Sequence, residues 1–412
     1  MALSSKTNVL EGSVLRHILR MLGPFSIAII ALISTGVVDT IYLGQLEDAE
    51  KPNLARMALA ALGIAFPISF FGNSANIGLG AGTMSAVSRA LGQGDVQKAR
   101  RHAAAAILLG LTVMSVLVSI MLLLAPILLS LMGQTMGVQD MAFSYLMIIM
   151  PGLVLVSVAS MSNNILRARG EAVLPSSIMI LGALINLVLD PFLIFGWGPF
   201  PRLELRGAAL ATLIGNAIGA VYGFYIVFFH RKNLDFAGMT LQSMKRAWSI
   251  IGQVGLPAAG TNCIIPLASW VAFAIIGNVL SEADVAAFTV ASRAELISVG
   301  LLYALSACIG AVTGRNGGAG QTERVREAFR VCYKICFIWG SAMAVFLALL
   351  APQVARLFTS DAMLIEKIIP YFYIVPATIF AYGFVFISAA GLNALGRPMS
   401  VSYTHLTLPT KA

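Results

Sequence analysis

Charged side chains are scarce in this chain: they make up 11% of its 412 residues, whereas a typical soluble domain carries about 25%. Hydrophobic residues reach 58%, and the mean hydropathy is +0.87. This composition predicts a polytopic membrane protein. The net charge of +9 does not indicate nucleic-acid binding, because the basic residues occur in short clusters between apolar runs, where they orient a protein in the bilayer.

Residues that ligate metals or act as nucleophiles are also few. The four histidines are scattered outside the apolar runs, and Cys332 and Cys336, although four apart, have no third ligand beside them. The glycine-rich stretch 314–320 lacks the GK[ST] ending of a phosphate-binding loop. The sequence shows no Ser/His/Asp or Cys/His arrangement. We therefore expect a protein that is not an enzyme and that holds no metal or organic cofactor.

Ten apolar runs are long enough to cross a bilayer as a helix, which takes roughly 20 residues. Basic clusters follow the even-numbered runs, and acidic residues follow most of the odd-numbered ones. The positive-inside rule then places the N-terminus and the even-numbered loops in the cytoplasm. The predicted spans are 21–43, 57–82, 103–130, 138–162, 173–197, 207–229, 248–278, 284–312, 331–352 and 365–392.

The chain repeats itself at an offset of 225 residues. Ser85–Ala103 is similar to Gly310–Ala328, and Gly92 falls on Gly317. Each repeat unit holds an even number of spans, so both halves share one orientation, as in two-lobed transporters with a central cavity. A chance match is the alternative.

The repeat also sets the expected domain boundaries. We expect a cytoplasmic segment at 1–20, a first lobe of six helices at 21–230, a cytoplasmic linker at 231–247 and an incomplete second lobe of about four helices at 248–400. Two further spans that the repeat calls for have no counterpart. Residues 401–412 are polar where an apolar helix is expected, so we interpret them as a non-native tail.

Three acidic residues lie inside predicted spans: Asp39, Asp190 and Glu295. A carboxylate at membrane depth costs at least about 3 kcal/mol unless it is paired, protonated or bound to an ion. Asn186 lies four residues before Asp190 and shares its helix face. We therefore predict a buried cation or proton site, while a helix-end aspartate before Pro191 is the alternative. Glu295 lines the cavity of the second half or, alternatively, pairs near the outer boundary.

Further polar residues lie in or at the ends of the first-half spans, namely Tyr145, Asn163 and Thr212. Taken singly, each is more often a residue that packs or makes a cross-helix hydrogen bond, but together with Asn186 they supply oxygens that suit a hard monovalent cation. Pro24 lies fifteen residues before Asp39 in the first span. A proline inside a membrane helix permits a bend, whereas a proline at a helix start needs no such role.

These residues together resemble the multidrug and toxic compound extrusion (MATE) family of secondary transporters, from about Val14 to Pro398. The resemblance is carried by the order and spacing of several short motifs. They are Gly23–Pro24, Val38–Asp39, LGQGD at Leu91–Asp95, NNILRARG at Asn163–Gly170, Asn186 with Asp190–Pro191, and GAALAT at Gly207–Thr212.

The resemblance implies an all-α, two-lobed, V-shaped antiporter that normally has twelve spans, in two parallel repeats of six. Such proteins exchange Na⁺ or H⁺ for organic, often cationic, drugs. By similarity, Asp39, Asn186, Asp190 and Thr212 match the family's cation site, which would hold Na⁺ or a proton. Tyr145 and Asn163 match polar residues linked to that site, and Pro24 matches the proline at which the first helix bends. The glutamate that one branch of the family carries in its seventh span has no counterpart at 260–269.

The resemblance also implies the partners and location. We expect small organic substrates, the bilayer of the cytoplasmic (inner) membrane, no nucleic acid, and a monomer with its N-terminus in the cytoplasm. A flippase for a lipid-linked oligosaccharide is the alternative function. Its anionic substrate would favour basic residues in the cavity, and Arg293 is the candidate intramembrane base. Intramembrane aspartyl proteolysis is disfavoured because Asp190 lies in VLDP rather than GxGD.

Overall fold

The structure, a computed structural model, describes residues 9–46, 54–131, 135–237, 239–279, 282–358 and 362–397. It describes no side chains for residues 272–297 and a few others. Within the described ranges the regular structure is helical throughout, as the sequence predicts. The helices are α1 (Val14–Gly44), α2 (Leu54–Gly92), α3 (Val96–Ser130), α4 (Met136–Ala168), α5 (Val173–Phe195), α6 (Leu205–Tyr225), α7 (Leu241–Val279), α8 (Glu282–Gly318), α9 (Thr322–Leu349), α10 (Ala351–Phe358), α11 (Ala362–Ile374) and α12 (Ile379–Ala394).

Ten stretches of helix in the described part of the chain are long and apolar enough to cross a membrane, which confirms the predicted number. The first six correspond to α1–α6, the last of them extended by a π-helical turn at Ile226–His230. The tenth combines α11, a 3-10 turn at Val375–Thr378 and α12. The short α10 between the ninth and tenth spans was not predicted. It packs with α11 through a small buried cluster that contains Ala355 and Phe372.

Several helices extend beyond the predicted apolar spans, mostly at the ends assigned to the cytoplasm. α2 runs to Gly92 rather than 82, and α3 begins at Val96 rather than 103. A helix continues into water as long as its backbone hydrogen bonds can propagate, so hydropathy alone sets its ends too short. For the same reason, α7 begins at Leu241, inside the predicted linker 231–247. Likewise, α1 begins at Val14, inside the predicted segment 1–20, with Ser13 as its N-cap.

The internal repeat is visible in the backbone, at an offset of 226 rather than 225 residues. Gly94 and Gly320 follow α2 and α8 with φ of 80° and 74°, and Gly170 and Gly396 follow α4 and α12 with φ of 78° and 76°. These left-handed conformations favour glycine at all four turns. The predicted pairing of Gly92 with Gly317 is therefore one residue off, since Gly92 and Gly318 both end their helices.

The two halves pack closely on the side assigned to the cytoplasm. Gly82 of α2 lies directly against the carbonyl of Ile251 on α7, and Gly92 lies against the backbone of Gly318 on α8. A Cβ at either glycine would overlap the opposing backbone. Phe25 of α1 packs in one buried cluster with Leu302 of α8. The first half therefore contacts the second half through α1 and α2.

Candidate functional site

Four of the predicted site residues meet inside the first half. Asn186 and Asp190 lie one turn apart on α5, and the Asn186 Nδ2 donates to Asp190 Oδ1 at 3.2 Å. The same Nδ2 also lies 3.2 Å from the hydroxyl oxygen of Thr212 on α6. The carboxyl group of Asp39 on α1 is within hydrogen-bonding reach of the Asp190 carboxyl. Three helices thus converge on one pair of acidic side chains.

The close approach of α5 and α6 brings Thr212 to Asn186. Gly215 on α6 lies against the backbone carbonyl of Gly182 on α5, and a Cβ there would also touch Asn186. About two turns earlier on α6, Gly207 packs against the carbonyl of Leu193. Small residues let helix backbones approach in membranes, where packing and interhelical hydrogen bonds drive association. The spacing of these glycines therefore fixes the geometry of the site.

The acidic pair has buried oxygens that no described group satisfies. Asp190 is fully buried, Asn186 is 4% exposed, and Asp39 is half-buried. Asp39 Oδ1, Asp190 Oδ2 and Asn186 Oδ1 are buried and accept no hydrogen bond from a donor among the described residues. A buried polar atom without a partner costs about 1–3 kcal/mol, and more when it is charged. Two adjacent carboxyl groups can avoid this cost by sharing a proton or by binding a cation.

Tyr145 borders the acidic pair from α4. Its hydroxyl lies close enough to Asp39 and Asp190 to interact electrostatically with both. The ring packs against the buried cluster that also contains Leu146 and Ile149. Tyr145 is therefore placed to contact whatever neutralises the pair, so α1, α4, α5 and α6 all contribute to one site.

Of the other three predicted residues, Asn163 and Pro24 lie away from this cluster, and Glu295 has no described side chain. Asn163 is 8% exposed and lies eighteen residues after Tyr145 on α4, which is about 27 Å along a straight helix. Pro24 lies within α1, about 22 Å before Asp39 by the same measure, and the helix continues through it. Glu295 belongs to α8, but its side chain lies outside the described residues, as does that of Arg293.

One basic residue, Arg167, was missed as a candidate. The sequence places it in the loop after the fourth span, but α4 continues to Ala168 and turns its side chain inward. The guanidinium stacks over the ring of Phe25 on α1 at 4.9 Å, and Nη2 lies 3.3 Å from the sulfur of Met179 on α5. Its Nε is buried without a hydrogen-bond partner among the described residues. The LRARG sequence alone does not distinguish this arginine from Arg169.

Two further arginines, related by the repeat, cross between the halves. Arg315 at the end of α8 donates from Nη1 to the carbonyl of Arg169 at 3.1 Å, beside the turn that follows α4. Its repeat partner, Arg89 of α2, has its guanidinium against the α-carbon of Gly396, beside the turn that follows α12. We call Arg89 and Arg315 the arginine clasp. Arg169, whose carbonyl accepts from Arg315, has a pKa that burial lowers from its usual value, and the nearby Glu171 opposes that shift.

A family model and several known proteins match this chain over most of its length. The family model described as MatE matches residues 24–192 and 257–407. The chain is 32% identical over 398 residues to a protein of Shewanella oneidensis named FAD transporter. The aligned region covers 97% of this chain and 86% of that protein. It is 24% identical over 335 residues to the probable multidrug resistance protein NorM of Thermotoga maritima, covering 80% of this chain and 69% of that protein.

A solved structure has the same fold. VcmN, a MATE transporter of Vibrio cholerae, superimposes with a TM-score of 0.87 over 96% of this chain and 86% of that chain, at 24% sequence identity. At this identity the match concerns the fold alone. It agrees with the all-helical architecture and the ten candidate spans described above.

Proposed function

We propose that this chain, which belongs to the MatE family of multidrug and toxic compound extrusion transporters, exports an organic compound in exchange for an inward-moving Na⁺ or H⁺. The observation that carries the proposal is the buried pair of Asp39 and Asp190. Their buried oxygens lie beside Asn186 and Thr212, and the Asn186 Nδ2 is 3.2 Å from the Thr212 Oγ1. A cation or proton at this pair would remove an unfavourable buried charge.

The coupling would follow from competition for that charge. In a low-dielectric site the pair does not stay both empty and fully ionised, so it is occupied by a proton, by Na⁺ or by a cationic group of the substrate. An incoming cation would then displace the substrate, and the empty pair would attract the next one. Movement of the two halves about their contacts would expose the site alternately to each side.

The proposed setting is the cytoplasmic membrane, with the N-terminus and the arginine clasp on the cytoplasmic side. The distribution of basic residues supports this orientation. The close packing between the halves would then close the cytoplasmic end of the pathway. In this arrangement Asp39, fifteen residues beyond Pro24 on α1, lies toward the opposite end.

Replacement of Asp190 by Asn tests the proposal. Asp190→Asn keeps the size of the side chain but removes the charge, and we expect ethidium efflux from cells lacking their own pumps to fall by about tenfold or more. Glu327→Gln is a matched control, because Glu327 is exposed on α9 in the second half. The amount of protein in the membrane is measured for both variants. Efflux by Asp190→Asn at the wild-type rate would refute the proposed site.

A flavin dinucleotide is a second candidate cargo, and one observation favours it. The 32% identical relative is named an FAD transporter. Such a cargo carries phosphates, and Arg167 offers a positive charge between α1, α4 and α5 that lacks an acidic partner among the described contacts. An organic anion entering from the cytoplasm would meet this arginine before the acidic pair. For such a cargo, competition for the charge of the acidic pair would not supply the coupling, so the bound proton or Na⁺ would act by favouring one arrangement of the two halves.

The two candidate cargoes can be distinguished in one set of vesicles. Vesicles loaded with FAD or with ethidium are compared for the wild type, Arg167→Gln and Arg167→Lys. If the cargo is an anion, we expect Arg167→Gln to slow FAD efflux by about tenfold, the effect of one charge-assisted contact, and Arg167→Lys to restore part of it. If ethidium is carried and FAD is not, the flavin candidate is rejected and the multidrug candidate stands.

A further inference from the structure

A basic cavity of about 340 Å³ lies at the predicted cytoplasmic end of the first half, between α3 and α7. It is separate from the acidic pair, which is formed by α1, α4, α5 and α6. Four basic residues line it: Lys98, Arg101 and His102 from the first turns of α3, and Arg246 from α7. The proposed exchange cycle uses none of these side chains.

The acidic groups near the cavity are already engaged. Asp95 also lines it, but its Oδ1 accepts from the backbone amide of Lys98 at 2.9 Å and caps α3. Arg101 Nε pairs with Asp235 Oδ2 at 3.4 Å. Neither Lys98 nor Arg246 forms an ion pair with any described residue, so the cavity keeps an excess of positive charge.

His102 adds a buried polar group to the wall of the cavity. It is 7% exposed, and its Nδ1 lies 3.5 Å from the carbonyl of Ala86 on α2. The other ring nitrogen, Nε2, has no hydrogen-bond partner among the described residues, and the side chain lines the cavity. Because Nδ1–H donates to the Ala86 carbonyl, Nε2 can donate to an anionic oxygen when the ring is protonated, a form that the bound anion itself stabilises.

The position of the cavity indicates where its ligand comes from. The lining also includes the apolar side chains of Ala105, Ala247 and Ile250, so the cavity combines basic and apolar groups. Trp248, adjacent to this wall, donates from Nε1 to the carbonyl of Ala105 at 2.9 Å. Tryptophan favours the boundary between membrane and water, where a lipid headgroup lies. Basic pockets between helices at the cytoplasmic boundary suit anionic headgroups.

We propose that this cavity binds the phosphate of an anionic phospholipid, with Lys98, Arg246 and His102 as the contacting groups. The headgroup would bridge α3 of the first lobe and the start of α7, the first helix of the second. An anionic lipid would therefore stabilise one arrangement of the two halves relative to the other. The same phosphate chemistry could also come from a soluble phosphate, and the experiment distinguishes the two sources.

The test uses the full chain, purified and delipidated in detergent, and native mass spectrometry with three probes: phosphatidylglycerol, phosphatidylcholine and inorganic phosphate. Two variants are compared with the wild type. The first is Lys98→Gln with Arg246→Gln, which removes the two exposed charges at the cavity. The second is Arg330→Gln with Lys334→Gln, which removes two exposed charges of the same kind from α9.

We expect phosphatidylglycerol to bind the wild type and the α9 variant equally, and the cavity variant about tenfold or more weakly, because each Lys or Arg near a headgroup contributes about 1 kcal/mol. Phosphatidylcholine should not compete. If inorganic phosphate binds in the same variant-dependent manner while the lipid does not, the lipid assignment is overturned. Equal loss in both variants, or no binding of either probe, overturns the site itself.

Discussion

Asp190 has a fully buried side chain, and one of its oxygens, Oδ2, has no hydrogen-bond partner in the described part of the chain. Its other oxygen accepts from Asn186, and Asn186 in turn contacts Thr212. A buried carboxylate in this setting is costly unless a neighbour or an ion neutralises it. The neighbour at hand is Asp39, which is acidic as well. This pairing of like groups is what makes a shared proton or cation the natural ligand.

Substitution of Thr212 tests the contribution of its hydroxyl. Thr212→Val keeps the shape but removes the oxygen near Asn186 Nδ2, so the amide is held less firmly against Asp190. We expect the cation concentration at half-maximal transport to rise by about threefold to tenfold, in keeping with about 1 kcal/mol for one hydrogen bond. The measurement is the rate of efflux against external Na⁺ or H⁺ concentration.

Thr212→Ser is the matched control, since it keeps the hydroxyl. A wild-type cation dependence in Thr212→Ser combined with a shifted one in Thr212→Val would support the role of the oxygen. An unshifted dependence in Thr212→Val would place Thr212 in packing alone.

At the scale of helices, the sequence predicted which side chains lie together in the candidate site better than it predicted where the helices end. Asp39 and Asp190 stand out because a charge inside an apolar run is costly, and the structure brings them together as expected. Asn163 lies at the end of such a run, and its distance from Tyr145 along α4 keeps it out of the cluster. Arg167 was missed because hydropathy ends the fourth span too early. Whether a charged side chain at a helix end turns inward depends on neighbouring helices, which one sequence does not specify.

The arginine clasp gives a prediction at this scale. Arg89→Ala with Arg315→Ala removes the contact of Arg315 with the turn after α4 and the contact of Arg89 with the turn after α12. Cys308 on α8 is fully buried in the cluster that joins α8 to α1. If the clasp holds the cytoplasmic end closed, its loss should let a membrane-impermeant maleimide label Cys308 from that side about thirtyfold faster, for two contacts of about 1 kcal/mol each.

Two controls accompany the labelling experiment. Cys308→Ser in the same background identifies the labelled position, because Cys332 and Cys336 are also buried on α9. Arg330→Ala with Lys334→Ala removes the same number of positive charges at exposed positions elsewhere. Identical labelling rates in the wild type and the clasp variant would show that other contacts close this end.

At the scale of the whole molecule, the repeat explains how one sequence builds two similar halves. The left-handed glycines at Gly94, Gly170, Gly320 and Gly396 recur at equivalent turns, 226 residues apart in each pair. The sequence predicted this repeat with an error of one residue, because identities alone do not fix the register of a weak match. The acidic site, in contrast, is confined to the first half among the described side chains. The halves are therefore alike in backbone but not in chemistry.

The most direct measurement of the central claim is cation movement coupled to cargo movement. Purified protein is placed in liposomes loaded with ethidium or FAD, and cation entry is followed with a pH-sensitive dye or with radioactive Na⁺. For the wild type, the account predicts that cation entry requires cargo and that cargo exit requires the cation. For Asp39→Asn and Asp190→Asn it predicts that both flows stop together. Cargo-dependent cation entry that persists in Asp190→Asn would contradict the account.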